Sequence, residues 1–128
     1  IYGPIEPAPV SVSVDDRDAS LVYTGAWNND GSGSFYEGTA RYTNEVGASV
    51  ELTFVGTAIQ WYGQNDVNFG AAEVYLDDLL VEEVNVYGPA AAQQLLFEAD
   101  GLAYGEHTIR IVCVSPVVDI DYFSYVGE

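Results

Sequence analysis

Ser49-Val-Glu-Leu-Thr-Phe54 and its sequel Thr57-Ala-Ile-Gln-Trp-Tyr62 decide the fold. Val50, Leu52 and Phe54 fall on one side of the first run, and Ile59 and Trp61 on one side of the second. Side chains alternate across a strand with a period of two, so each run reads as a strand with one apolar face. The same period continues outward through Val10–Val14, Ala71–Leu76, Val81–Tyr87, Gln93–Glu98, His107–Val114 and Val117–Val126. Turn formers separate the runs: Asn29-Asp-Gly31, Val46-Gly47, Asp77-Asp78, Gly88-Pro89 and Asp100-Gly101. Ala90–Leu96 is the one stretch that competes as a helix, and it is too short. Roughly eight to ten short strands at this spacing predict an all-β fold, an antiparallel β-sandwich or jelly roll.

The chain has 128 residues, with 20 acidic against 3 basic side chains and a formal net charge of −17. Arg17, Arg41 and Arg110 cannot make the basic stripe that a phosphate backbone requires, so nucleic acid is excluded as a partner. The 48% hydrophobic content excludes disorder. No apolar run approaches the roughly 18 residues of a spanning helix, so membrane insertion is not expected. Residues 1–9 carry three of the five prolines and read as a linker. Residues 10–128 read as a single module cut from a larger protein. Cys113 is the sole cysteine and continues the apolar parity of Ile109 and Ile111, as a small buried hydrophobe does.

Chemistry-bearing patterns are few. The single histidine, His107, stands at a strand start and reads as a structural hydrogen-bonding residue. No Gly-x-Ser-x-Gly elbow, Walker loop or dinucleotide fingerprint occurs, and no catalytic residue is expected. Asp15, Asp16, Asp18, Asp119 and Asp121 are hard oxygen donors near the two ends of the chain. First and last strands that lie side by side would bring them to one Ca²⁺.

Three loops combine aromatic rings with amides: Trp27–Tyr36, Tyr62–Gly70 and Tyr87–Gln94. A ring covers the C–H face of a sugar, and Asn, Gln and Asp bond its hydroxyls, so this mixture fits a neutral polyol. Three strands also repeat a polar residue followed two places later by tyrosine: Gln60/Tyr62, Glu73/Tyr75 and Asn85/Tyr87. If they share a sheet, its second face is polar and aromatic. Tyr62 and Tyr87 each end a strand and open a loop, so they are the expected stacking surface. Trp27 or Tyr36 would close one side, with Asn65, Asp66, Gln93 and Gln94 on the hydroxyls.

Val22-Tyr-Thr-Gly-Ala-Trp27, Gly56-Thr-Ala-Ile-Gln-Trp-Tyr-Gly63, Glu73-Val-Tyr-Leu-Asp77, Gly105-Glu-His-Thr-Ile109 and Asp119-Ile-Asp-Tyr-Phe123 follow one another in a familiar order. Over about residues 12–126 the chain resembles the galactose-binding-like jelly-roll modules appended to secreted glycoside hydrolases and surface proteins. Family 6 and family 35 carbohydrate-binding modules share that fold. The resemblance implies a secreted or cell-surface, non-enzymatic module that docks neighbouring domains of its parent protein onto a neutral oligosaccharide or polysaccharide. It also implies that Trp61 is architectural, that Asp77 sits in a hairpin turn, and that Asp16 and Asp121 hold a structural Ca²⁺. The loop Gln64–Phe69 lacks the positive residue found in many such modules, which argues against an acidic sugar. The alternative is an adhesion or spacer sandwich that binds protein.

Overall fold

The computed structural model describes residues 10–127; the expected linker at residues 1–9 lies outside them. Twelve strands are formed among the described residues: β1 Val10–Asp15, β2 Val22–Thr24, β3 Asn28–Gly31, β4 Thr39–Thr43, β5 Ser49–Gly56, β6 Ala58–Asn65, β7 Ala71–Leu76, β8 Leu79–Asn85, β9 Ala91–Ala99, β10 Gly105–Ser115, β11 Val118–Ile120 and β12 Tyr122–Gly127. A single 3₁₀ turn, Tyr36–Gly38, precedes β4. All named strand pairs are antiparallel. The chain is an all-β antiparallel sandwich.

One sheet has four strands in the order β1-β12-β6-β9, and the other has five in the order β2-β5-β10-β7-β8. A small sheet, β11-β4-β3, adjoins them. The alternation sets the inner faces. Val14, Ile59, Trp61, Phe97 and Phe123 from the first sheet join Val50, Leu52, Phe54, Val74, Ile109, Ile111 and Cys113 from the second in one buried cluster. Register aligns these layers: Trp61 lies between Phe123 and Phe97, and Leu52 opposite Ile109. Val118 and Ile120 bring β11 into the same core.

The expected turn at Asp77-Asp78 is a two-residue reversal with both residues at positive φ, 52° and 67°. That combination gives the twist that antiparallel strands require. Asp77 is pinned on both oxygens, Oδ1 accepting from Thr108 N (2.9 Å) and Oδ2 meeting His107 Nδ1 at 2.6 Å. His107 Nε2 lies 2.7 Å from the Ala103 carbonyl, so the histidine is a clamp between the β7–β8 turn and β10.

Two expectations are corrected. The run Val117–Val126 is two strands in two sheets, because the chain changes sheet at Asp121. The three polar–tyrosine pairs also do not share a face. Gln60 and Tyr62 stand on β6 of the four-stranded sheet; Glu73, Tyr75 and Asn85 stand on β7 and β8 of the other. Tyr87 follows β8 and makes an isolated bridge to Asp66. Parity fixes the side of a strand that a residue occupies, but the loop at 66–70 carries the chain between sheets.

Trp61 is fully buried, so Trp61→Ala is expected to cost about 3–5 kcal/mol, a large part of a total near 5–15 kcal/mol. A Cβ at Gly63 would meet Leu96 Cδ1 at 2.7 Å and Asp119 Oδ1 at 2.8 Å, so Gly63→Ala is also expected to destabilise. Urea unfolding measures both; a Trp61→Ala loss under about 1 kcal/mol would contradict this packing.

Candidate functional site

On the outer side of the four-stranded sheet three tyrosines stand in a row. Tyr62 lies directly across from Tyr122, and their rings stack at 4.4 Å with planes 2° apart. Tyr36, from the 3₁₀ turn, stacks on the opposite side of Tyr122 at 4.3 Å. The middle ring is therefore sandwiched, with half-buried Tyr36 and Tyr62 at the two ends of the row and Leu95 on β9 across from Tyr62. The Tyr62 hydroxyl donates to Gln60 Oε1 (3.1 Å), and Gln60 Nε2 donates to Glu98 (3.1 Å). Tyr122 was not among the expected residues. Its signal was present in Asp-Tyr-Phe, where Phe123 takes the core and so turns Tyr122 outward.

Of the other expected ligand contacts, one is tied to the loop that carries Tyr36. Gln93, at φ 52°, reaches across to donate to the Ser34 carbonyl (2.9 Å), tying β9 to the loop that carries Tyr36. Gln94 donates to Ala92 O (2.9 Å) and pairs with Gly63. Asn65 pairs with Ala91, and Asp66 Oδ1 accepts from Asn68 N (2.9 Å) in a local turn. Tyr87 is 61% exposed and is the most accessible of the named rings. Trp27 packs edge-on against Tyr23 at 5.1 Å and donates Nε1 to the Thr24 carbonyl, so its ring partner is Tyr23 rather than the tyrosine row.

Asp16 and Asp121 are buried behind this surface. Strand β1 does lie beside β12, and Asp16 N donates to the Asp121 carbonyl (3.1 Å). Asp121 receives Tyr36 N on both oxygens, at 3.0 and 3.2 Å. Asp16 Oδ1 accepts from Thr39 Oγ1 (2.7 Å), but Oδ2 is buried with no partner. Asp18 is separate, occupied by the Ser20 amide and hydroxyl. Among the described residues no three acidic, histidine or cysteine side chains assemble into a metal-binding group. Asp15 Oδ1 and Asp16 Oδ2 are the buried carboxylate oxygens without a partner here, whereas both Asp121 oxygens accept Tyr36 N.

Asp119 faces elsewhere. It lines a cleft of about 240 Å³ together with Asn29, Asp30, Tyr42, Phe69 and Val117. Burial pushes its carboxyl up to about 7, against a hydrogen bond from Gln64 N (2.7 Å) that pulls it down. Burial likewise raises Asp16 and Asp121 to about 6, with nearby carboxylates adding to the rise.

No family model matches the chain. It is 87% identical over 127 residues to an A type blood N-acetyl-alpha-D-galactosamine deacetylase of Flavonifractor plautii, covering 99% of this chain and 16% of that one. It is 56% identical over 119 residues to an A type blood alpha-D-galactosamine galactosaminidase of the same organism, covering 93% of this chain and 11% of that one. Among solved structures, a family two carbohydrate esterase from Cellvibrio japonicus shares the fold with TM-score 0.72 at 15% identity, over 94% of this chain and 35% of that one. A family 35 carbohydrate binding module from Clostridium thermocellum gives 0.67 at 15% identity, over 93% and 99%. The curated relatives correct the expected role. Sequences this close are parts of polypeptides named as enzymes, which overturns the reading as a non-enzymatic carbohydrate-binding module and the adhesion or spacer alternative with it.

The three raised carboxyls set the pH response. Each has an ordinary value of 3.8 and a higher one in the folded state, so between these values the native protein holds more protons than the unfolded chain. Their contribution to stability is then fully present below about 4 and is lost as pH rises toward about 7. In chelator, the melting temperature is expected to drop across that window, and less steeply in Asp119→Asn. A flat profile in the parent chain would contradict the raised carboxyls.

Proposed function

We propose that this chain is part of a carbohydrate-deacetylating enzyme acting on glycans that end in N-acetylgalactosamine. The observation that carries the reading is the 87% identity to the named deacetylase across 99% of the chain. The reaction breaks the amide C–N bond with water, releasing acetate and leaving the sugar with a free amine. That product is the sugar named for the second relative, a galactosaminidase, so the two activities are consecutive in chemistry. The chain spans 16% and 11% of these relatives, which supports reading residues 10–128 as one module of a larger protein. We read the sandwich as a jelly roll of the galactose-binding-like kind, supported by the TM-scores of 0.72 and 0.67. No helix among the described residues is long and apolar enough to cross a membrane; glycan substrates favour a secreted or cell-surface setting.

Within such an enzyme the tyrosine row meets the substrate glycan. The rings of Tyr62 and Tyr36 cover sugar C–H groups, Tyr87 adds an exposed ring, and Asn65, Asp66, Gln93 and Gln94 bond hydroxyls. The full polypeptide carrying this chain is expected to release acetate from N-acetylgalactosamine-terminated oligosaccharides; no acetate, with the protein folded, would sink the reading. Tyr62→Ala is expected to raise KM about five- to a hundredfold, as loss of a stacked ring worth roughly 1–3 kcal/mol requires. An unchanged KM would remove the row from the substrate site.

Asp16 and Asp121 would hold a structural Ca²⁺, with backbone carbonyls completing its oxygen shell. The support is the buried, unpartnered Asp16 oxygen beside a second buried carboxylate. Chelator is expected to lower the melting temperature, added Ca²⁺ to restore it, and Asp121→Asn to blunt both responses. A melt indifferent to chelator and to Ca²⁺ would refute this assignment.

A further inference from the structure

The cleft at Asp119 is separate from the tyrosine row and is left unused by the reading above. Its walls are unlike in chemistry. Tyr42 on β4 and Phe69 in the β6–β7 loop are aromatic, Asn29 on β3 is a neutral amide, and Asp30 and Asp119 are carboxylates. Asp119 is only 3% exposed; Gln64 N occupies its Oδ1, and its Oδ2 takes no hydrogen bond from any described residue. Asp30 is exposed and bonds the Gly31 amide through Oδ1, and it lies close enough to act on Asp119 electrostatically. None of the three arginines lines the cleft; Arg41 is drawn away over the Tyr23 ring at 4.6 Å. A buried carboxylate normally takes a partner within the fold, because leaving one unpaired in a dry site is costly. This one lines the opening with one oxygen left free.

We infer that the cleft is a subsite for a protonated amino sugar, with Asp119 and Asp30 receiving the ammonium group and Tyr42 and Phe69 covering the ring. A volume of about 240 Å³ lies below the ~300–1,000 Å³ of sites for drug-sized ligands and suits one sugar unit rather than a chain. An ammonium donates three hydrogen bonds and supplies the positive charge that the wall lacks. An N-acetyl group carries no charge and adds bulk. The site therefore selects the deacetylated sugar over the acetylated one and keeps the enzyme on glycan it has already converted. The choice of an ammonium ligand stands on the cleft; the choice of galactosamine among amino sugars rests on the function proposed above.

The test is an NMR titration of the chain with methyl α-galactosaminide, its N-acetylated form and methyl α-galactoside at about neutral pH. The galactosaminide is expected to bind about ten- to a hundredfold more tightly than the other two, as charge-assisted hydrogen bonds predict. Amide shifts are expected at Asn29, Phe69 and Val117. Asp119→Asn is expected to abolish the preference; if that variant fails to fold, Asp30→Asn, at an exposed position, is expected to reduce it. Equal affinity for the three sugars, preference for the N-acetylated one, shifts confined to the tyrosine row, or a preference surviving both substitutions would overturn the inference. Acetate release by the full polypeptide is read separately. Activity without the binding preference refutes the subsite alone, and the preference without activity refutes the deacetylase reading alone.

Discussion

At Asp121 the chain leaves the small sheet and enters the four-stranded one, and its hydrogen bonds reach three other elements. Its amide donates to the Tyr62 carbonyl on β6, its carbonyl accepts from Asp16 beyond β1, and its carboxylate takes the Tyr36 amide. The residue is fully buried, so the carboxylate gives up its hydration and depends on those partners. The consequence is geometric. The 3₁₀ turn cannot drift from the sheet without stranding a buried acid, so Tyr36 is held against Tyr122, and Tyr122 against Tyr62. Gln93 reinforces the same loop from β9 through the Ser34 carbonyl. The aromatic row is thus a product of one sheet-to-sheet crossing.

Much of the sandwich was legible because its strands announce themselves. Val50, Leu52, Phe54, Ile59 and Trp61 alternate, and all five are buried as alternation requires. The Asp77-Asp78 turn was legible for a similar reason, since aspartate tolerates positive φ. Strand β3 was not. Asn28-Asn-Asp-Gly31 has no apolar member and is exposed throughout, so it pairs with β4 by backbone alone and leaves no pattern to read.

The site was legible in its ingredients and not in its arrangement. Tyr62 and Tyr36 do meet, but through Tyr122, whose parity could be read only once Phe123 was known to face the core. Tyr75 has the same local sequence context as Tyr62 and lies in the other sheet, beneath the Arg110 guanidinium at 4.4 Å. Asp119 was counted with Asp16 and Asp121 because it stands near the chain end that the last strand brings beside the first. The change of sheet at Asp121 leaves Asp119 on β11 of the small sheet, where it lines the cleft. The enzymatic reading came from relatives many times longer than this segment, and no residue pattern within the segment carries it.

Strand β8 closes one edge of the five-stranded sheet, and its own turn-proximal residues Leu79, Leu80 and Val81 are solvent-exposed. Such an edge is a template for another strand to pair with. Here it carries Glu82 and Glu83 in succession, and Glu83 lies directly across from Glu73. A second copy approaching edge to edge would bring its own carboxylates into register with these, on a molecule already at −17. Like charges on an edge oppose such pairing, and here they stand beside the exposed apolar residues that would otherwise invite it.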